Sequence, residues 1–558
     1  MIKRKGWVEM AVSINRKIIF LVMAAIIVAG SASVLSSCGG GGSNGGKAND
    51  HLSILNTESQ FPIVNEPITL TIMTLADSDE AANRFVWQKY EEMTGVKINW
   101  RILPYSNAYE NINLTFASDD LPDIFLKCNI GPPLQARYGE EGYLLNLLED
   151  KLMEKYAPNF WEYMQERPDI KASQTFPGGE IYSIPAAAED PAARLNVKNF
   201  VNTRWMKNVG ITSMPKTTDE FYELLKAFKT KDPNGSGNPD KIIPFAISYA
   251  DLKQYLAGSF GLMNRGVHNT EFDIDKSTGK LRHIPSTNDY RKMVEYIKKL
   301  YGEGLIDREM FTTNTYDNAT SVNQDVTGVY QRSQLGLITQ DAIGDWEGME
   351  PLTGPDGYNM FSGVRSHLHS SGAFVITKNC KYPEAALRWA DYFYSDEGCL
   401  FYHYGIEGET FVKKPDGSYD WTDNILSQIT GSATYDEVVG KYVAYGGGNN
   451  PTMMKYPFFS GAEMQPQART AAQKMWNNIP KEIWGLFNFT REEQLDYDII
   501  LQDINAFVNQ RSGEFIVGRV ELNDDTWNEY LDMIKRMNVD RALEIMADAY
   551  RRYEAALK

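Results

Sequence analysis

Apolar and polar residues alternate at Ile68, Leu70 and Ile72, the period of a half-buried β-strand. Phe85, Val86, Tyr90 and Met93 then recur at helical spacing, and Gly95 stands where a left-handed C′ residue would end that helix. Alternation resumes at Val96, Ile98, Trp100 and Ile102. A strand–helix–strand opening predicts an α/β lobe with parallel neighbours. Leu121-Pro122-Asp123-Ile124-Phe125 reads as a loop entering a short buried strand, and Gly178–Pro185 as a turn followed by an extended segment that stops at proline. A second segment begins near Arg194. In it Thr217, with Glu220 three residues on, predicts a capping box that launches an amphipathic helix carrying Phe221, Leu224, Leu225 and Phe228. Pro383 and Glu384 open another helix, with Leu387, Ala390 and Tyr394 on one face and Gly398 beyond its end. The C-terminus carries two helical stripes, Trp527, Leu531, Ile534, Met537 and Leu543, Met546, Ala549, Tyr553. A break at Asn538-Val539-Asp540 parts them.

The first 38 residues follow a different pattern. Arg16 and Lys17 flank an apolar run from Ile18 to Ala29, too short for a membrane-spanning helix. It closes on Leu35-Ser36-Ser37-Cys38, which resembles the lipobox of bacterial lipoprotein signal peptides. The expectation is cleavage before Cys38, lipidation of that residue, and a chain held outside the membrane by lipid alone. An uncleaved signal anchor fits less well, because Gly39-Gly40-Gly41-Gly42-Ser43 follows at once as a flexible tether, here assigned to residues 39–65.

The chain has 558 residues, and the part beyond the tether exceeds what one hydrophobic core supports, so two lobes are expected. Removing the leader's five Lys/Arg and single Glu takes the formal charge from −17 to −21, which argues against nucleic acid and anionic lipid surfaces as partners. Cys128, Cys380 and Cys399 make no disulfide framework and no metal spacing. Small buried apolar residues are predicted, with a Cys380–Cys399 bridge as the alternative.

Several segments, in order, resemble extracellular solute-binding proteins of family 1, the receptors of ABC sugar importers. These are Leu121-Pro122-Asp123-Ile124; Gly179-Glu180-Ile181-Tyr182-Ser183-Ile184-Pro185; Arg204-Trp205-Met206-Lys207-Asn208-Val209-Gly210, in which Arg204 replaces the usual Asp; Tyr382-Pro383-Glu384-Ala385-Ala386 through Asp396-Glu397-Gly398; Gly405-Ile406-Glu407-Gly408; and Ala549-Tyr550-Arg551-Arg552-Tyr553. The match is similar to the subgroup of LipO-like lipoproteins and alginate-oligosaccharide receptors. The resemblance implies an α/β, type II periplasmic-binding-protein fold, with two α/β lobes around a ligand cleft joined by a hinge. It implies lobe 1 at residues 66–190 plus about 362–405 and lobe 2 at 191–361 plus about 406–558. It further implies a monomeric, non-enzymatic receptor that binds an oligosaccharide and docks with ABC permease subunits.

The sharpest local motif is Asp232-Pro233-Asn234-Gly235-Ser236-Gly237-Asn238-Pro239-Asp240. Oxygen ligands at Asp232, Asn234, Ser236, Asn238 and Asp240 with a central Gly resemble the start of an EF-hand loop. The alginate-receptor branch holds a structural Ca²⁺ there, completed by a Glu after the last Asp, where this chain has Lys241. A structural Ca²⁺ and an unmetallated Asx-rich turn both fit; no other cofactor is required. Sugars need flat aromatic faces and convergent polar groups. The ligand candidates are Asp123 at the end of its loop, Asp345 and Trp346 in a Gly-punctuated segment, Arg365 and His367 before the strand at Ala373–Ile376, and Tyr404 and Glu407 beside Gly405. His367 and His369 are read as part of a solvated loop, not a metal pair. Two rival functions stay open: a lipoprotein polysaccharide hydrolase or lyase, since paired carboxylates cannot be seen in sequence, and a sensor serving a signalling partner.

Overall fold

The computed structural model describes residues 50–76, 82–445 and 449–558. Cys38, the leader and tether residues 39–49 lie outside the described residues. No helix among the described residues is long and apolar enough to cross a membrane. The tether ends earlier than residue 65: Leu55, Ile63 and Val64 are buried, and Leu55 bridges to Val64.

The strands are β1 Ile68–Leu75, β2 Val96–Leu103, β3 Ile124–Leu126, β4 Ile184–Ala188, β5 Lys198–Asn202, β6 Ile243–Ala246, β7 Phe272–Ile274, β8 Leu281–His283, β9 Thr327–Arg332, β10 Trp346–Gly348, β11 Leu368–Ile376, β12 Phe411–Lys413, β13 Tyr419–Trp421 and β14 Met453–Met454. Six form one sheet in the order β14-β4-β11-β3-β1-β2, with β1 parallel to both β2 and β3. Four form a second, β10-β5-β9-β6, with β6 parallel to β9. Hairpins β7–β8 and β12–β13 stand apart.

The opening unit forms because both periods agree with it. Leu70 and Ile72 point into the core, and the helix Phe85–Thr94 lays Val86, Trp87 and Tyr90 against them. Gly95 at φ 74° ends that helix, its N–H donating to the Glu91 carbonyl, and β2 then runs beside β1 from Ile68↔Val96 to Leu75↔Leu103. In the second lobe Thr217 caps the helix Thr218–Thr230, accepting from Glu220 N at 3.1 Å. The reciprocal arm is shifted by one residue: the Glu220 carboxylate accepts from Lys216 N at 2.6 Å. Phe221, Leu224, Leu225 and Phe228 enter a core shared with Trp527, Tyr530, Ile545 and Met546 of the C-terminal helices Asp524–Arg536 and Val539–Ala556.

The chain passes from the six-stranded to the four-stranded sheet between Ala188 and Lys198 and returns between Gly348 and Leu368. It leaves again only after Met454, because β14 still pairs with β4. The final crossing thus lies well beyond residue 405. Residues 404–443 fold as an excursion with its own core of Tyr404, Phe411, Trp421, Ile425, Val438, Val439 and Val443.

One local reading changes and two are refined. Pro185 lies inside β4 and does not end it. The three described cysteines are free and buried, so no Cys380–Cys399 bridge forms. Gly398 belongs to the next helix, Asp396–Tyr404, where its N–H donates to the capping Ser395 hydroxyl. A Cβ at Gly398 would stand 1.8 Å from the Tyr392 carbonyl oxygen. Gly398→Ala should therefore cost about 1–3 kcal/mol of stability in urea unfolding; a loss under about 0.5 kcal/mol, the level of an inert surface change, would contradict that packing.

His283 and His403 are 3% and 0% exposed. Burial pushes each ring down to about 3. The unfolded chain therefore takes up protons that the folded chain refuses, and stability is complete above about pH 6.5 and lost as pH falls toward 3. Together the two should give a slope near ~2.7 kcal/mol per pH unit between those limits. Urea midpoints across this range test it, and replacing both with glutamine should reduce the slope of the acid limb by that amount, leaving the share of the other histidines that burial lowers, His268 and His369.

Candidate functional site

A cavity of about 1240 Å³ lies between the lobes. It opens at strand ends, where open α/β sheets bind ligands: Leu75 and Ala76 close β1, Lys127 follows β3, and Arg332 ends β9. The first lobe adds Arg84, Trp87, Trp100, Tyr105, Tyr402 and Tyr445. The second adds Asn196, Tyr316, Gln334 and Glu463, and the 404–443 excursion adds Tyr435 and Asp436.

The aromatic wall is held from behind. Trp87 stacks on Trp389 with centroids 5.7 Å apart and tilts toward Trp100 at 5.6 Å. Tyr105 and Tyr316 are 44% and 62% exposed in the same cavity, one from each lobe. Their faces suit the C–H surfaces of a sugar ring, and the cavity exceeds the usual range for a small ligand.

Polar groups converge among them. Arg84 donates to the Ala444 carbonyl at 2.9 Å. Arg365 Nη1 lies 3.1 and 3.0 Å from the two ring nitrogens of His369. Burial lowers Arg365 to about 10, and burial with the Arg365 charge drives His369 well below its ordinary value, so the ring is neutral. Arg332 Nη1 is buried without an acceptor among the described residues. Asp436 accepts from Gln334 Nε2 at 3.3 Å, and burial raises it. Burial also raises Glu463, while the Lys198 charge opposes that rise.

Lys198 sits beneath the floor, 0% exposed, donating to the carbonyls of Ala192 (3.0 Å), Leu195 (2.9 Å) and Ser333 (2.5 Å). Two crossing segments lie side by side here. Leu195 bridges Val364, Asn196 N donates to Gly363 O at 2.6 Å, and Arg365 N donates to Arg194 O at 2.9 Å. Few residues join the lobes at this point, as a hinge requires.

Of the sequence candidates, Arg365 lines the cavity. Trp346 is 3% exposed in β10, packed near Tyr330 in a core that its Gly-punctuated segment conceals. Asp345 accepts from Arg204 Nε at 2.8 Å, and Asp123 accepts from Thr71 N at 2.7 Å, fixing β3 beside β1. Tyr404 fills the excursion's core, and Glu407 is exposed on a turn bridging to Phe411. His367 pairs with Asp169 at 3.0 Å and meets Arg194 at 3.2 Å. His369 is no solvated loop residue: it lies in β11, facing the cavity. Of the groups that sequence reasoning missed, Arg84, Trp87, Arg332, Asp436 and Glu463, only Arg332 had a faint signal, its place at the end of a strand.

The Asp232–Asp240 loop folds on itself. Gly237 N donates to Asp232 Oδ2 at 2.9 Å, Ser236 Oγ lies 3.5 Å from Asp232 Oδ1, and Asn238 N donates to Ser236 Oγ at 3.3 Å. Gly235 and Gly237 adopt φ of 68° and 66°, which wrapping of this kind requires. Two carboxylates with neutral oxygens are hard donors of the type Ca²⁺ takes. No group of three or more His, Cys, Asp or Glu is gathered for a metal among the described residues.

The family profile of the bacterial extracellular solute-binding proteins matches residues 74–398, more than half of the chain. The chain belongs to that family. Among curated relatives of this solute-binding protein is the fructooligosaccharide ABC transporter substrate-binding protein FusA of Streptococcus pneumoniae serotype 4, 25% identical over 519 residues, covering 89% of this chain and 92% of FusA. Lipoprotein LipO of Bacillus subtilis is 27% identical over 364 residues, 60% of this chain and 65% of LipO. Solved structures of FusA, one with kestose and one of an EF-hand mutant with fructo-nystose, each share the fold at TM-score 0.70 and 24% identity, covering 88% of this chain and 100% of theirs. The two lobes and their cleft are thus the architecture of a solute-binding protein.

Proposed function

We propose that this chain is a lipid-anchored receptor that captures an oligosaccharide in the interlobe cleft and delivers it, chemically unchanged, to an ABC importer. The observation that carries the reading is the cavity of about 1240 Å³ that combines Trp100, Tyr105 and Tyr316 with convergent Arg, Asp and Glu side chains. FusA, an ABC transporter substrate-binding protein for fructooligosaccharides, supports the cargo and the transporter, and LipO, a lipoprotein, supports the anchor at Cys38. The test is a thermal-shift screen of the full chain in mild detergent against neutral and acidic oligosaccharides, with mass spectrometry of what is recovered. A ligand at 100 times its Kd should add about 2.7 kcal/mol. Recovery of the sugar intact supports the receptor; recovery of cleaved sugar would make the chain a hydrolase or lyase and overturn it.

The Asp232–Asp240 loop is proposed to hold a structural Ca²⁺ through Asp232, Asn234, Ser236, Asn238 and Asp240. Its hard-oxygen donor set supports this, as does the existence of an EF-hand in FusA. Adding Ca²⁺ after EGTA treatment should raise the melting temperature, and Asp232→Asn should abolish that rise. An identical response in protein and variant would leave the loop an Asx-rich turn.

A further inference from the structure

The 404–443 excursion is held to the two lobes by different forces. Its apolar core takes in Leu400 and Tyr404, from a helix whose Phe401 and Tyr402 belong to the core of the first lobe. Burial of apolar surface fixes one element to another, so the excursion travels with that lobe. Against the second lobe its contacts are polar. Thr434 bridges Thr339 in antiparallel register, Gln340 N donates to Ala433 O at 3.2 Å, and Asp341 N donates to Gly431 O at 3.1 Å. Asp436 is the centre of this contact. Its N–H donates to Gly336 O at 3.1 Å, its carboxylate accepts from Gln334 Nε2 at 3.3 Å, and its charge faces Arg332. The receiving segment is fixed in the second lobe, because Leu335 and Ile338 are fully buried in one core with Phe200 and Tyr330. Gly336 leaves the space that the carboxylate fills: a Cβ there would stand 2.3 Å from Asp436 Oδ1. Arg332, Gln334, Tyr435 and Asp436 all line the cavity, so the contact between the lobes is also part of its wall. Hydrogen bonds exchange for bonds to water at small net cost, so this contact parts without exposing a core.

We propose that Asp436 is a positioning residue for binding: seated on Gly336 and Gln334, it latches the excursion of the first lobe onto the second and holds the cleft closed, and the cleft opens when that contact parts. The role is the same whatever solute is carried, and it rests on the receptor reading only in that closure serves capture.

The deciding experiment needs no sugar. Amide hydrogen exchange is followed on the full chain in mild detergent, together with the separation of spin labels at Tyr109→Cys and Thr320→Cys, exposed positions on the first and second lobes. Cys128, Cys380 and Cys399 are buried and stay unlabelled. In the unaltered chain the amides of Gln340, Asp341 and Asp436 should be protected. Gly336→Ala, which displaces the carboxylate from outside the cavity lining, and Asp436→Ala, which removes it, should each speed their exchange about tenfold or more and lengthen the label separation. Asp436→Asn keeps an oxygen for Gln334 and should restore part of both. The amides of Leu70 and Ile72 in β1 should keep their protection throughout, a pattern that loss of folding would not produce. Unprotected latch amides in the unaltered chain, unchanged exchange in both variants, or faster exchange with no change in separation would each overturn the proposal. All three would leave the receptor reading standing, since that reading is tested by the sugar screen alone.

Discussion

Lys198→Met should lower the free energy of unfolding by about 3–5 kcal/mol, because three buried carbonyls lose their donor and each unsatisfied acceptor costs about 1–3 kcal/mol. The ammonium group is fully buried and donates to three backbone carbonyls, two on the first crossing segment and one, Ser333 O, just past β9. Burial lowers Lys198 to about 8, and the nearby charges of Glu463 and Asp190 oppose that fall. Methionine has similar length and no donor, so three carbonyls lose a partner and Glu463 loses one of its counter-charges. Urea unfolding gives the number; a loss under about 1 kcal/mol, no more than an ordinary hydrogen bond contributes, would mean that water already serves these carbonyls. Adding Glu463→Gln to the variant should recover part of the loss, because the two changes act on one network and do not add.

Trp389→Ala should cost about 3–5 kcal/mol for the cavity it leaves. Trp389 is 1% exposed, stacks on Trp87, and lies 5.3 Å from Tyr90 and 5.2 Å from Phe393. It does not line the cleft, but Trp87 does. The variant should therefore weaken binding of any cleft ligand as well as stability, because Trp87 loses the surface that fixes its ring. Trp389→Phe, which keeps a flat apolar face, should lose less of both. Unfolding and titration on the same preparations separate the outcomes: full ligand affinity in a destabilised Trp389→Ala would show that Trp87 needs no support.

Periodicity carried the α/β elements well where one face of an element is buried and the other wet. The strand Ile68–Leu75, the helix ended by Gly95, the helix capped by Thr217 and the paired C-terminal helices all have that property. The longest helix among the described residues, Arg491–Ile516, has its buried stripe blurred in the sequence. Buried Leu501, Ile504, Val508 and Phe515 share it with exposed Leu495 and Ile499, so its sequence lacks a clean face. The lengthy excursion at 404–443 was equally hidden, because its short strands and turns bury residues only against one another.

The candidate site was less legible. Arg365 was named among the ligand candidates and does line the cavity, while Trp346 and Tyr404, chosen for their aromatic rings, are core residues. A tryptophan in a core and one in a cleft look the same in one dimension, because exposure belongs to the neighbours and not to the residue. Trp87 shows the converse, reading as part of a helix's buried face while its ring also walls the cavity.

By itself the sequence determined the membership of a two-lobed solute-binding family, the α/β character of its elements and the acidity of the chain, all of which depend on local pattern or total composition. Only the tertiary structure decided which residues face the cleft. Arg84, Arg332, Arg365, Asp436 and Glu463 are far apart along the chain and come together only when three crossing segments and two sheets are in place. Convergence of charge at one point is a long-range property of the fold, and no local period encodes it.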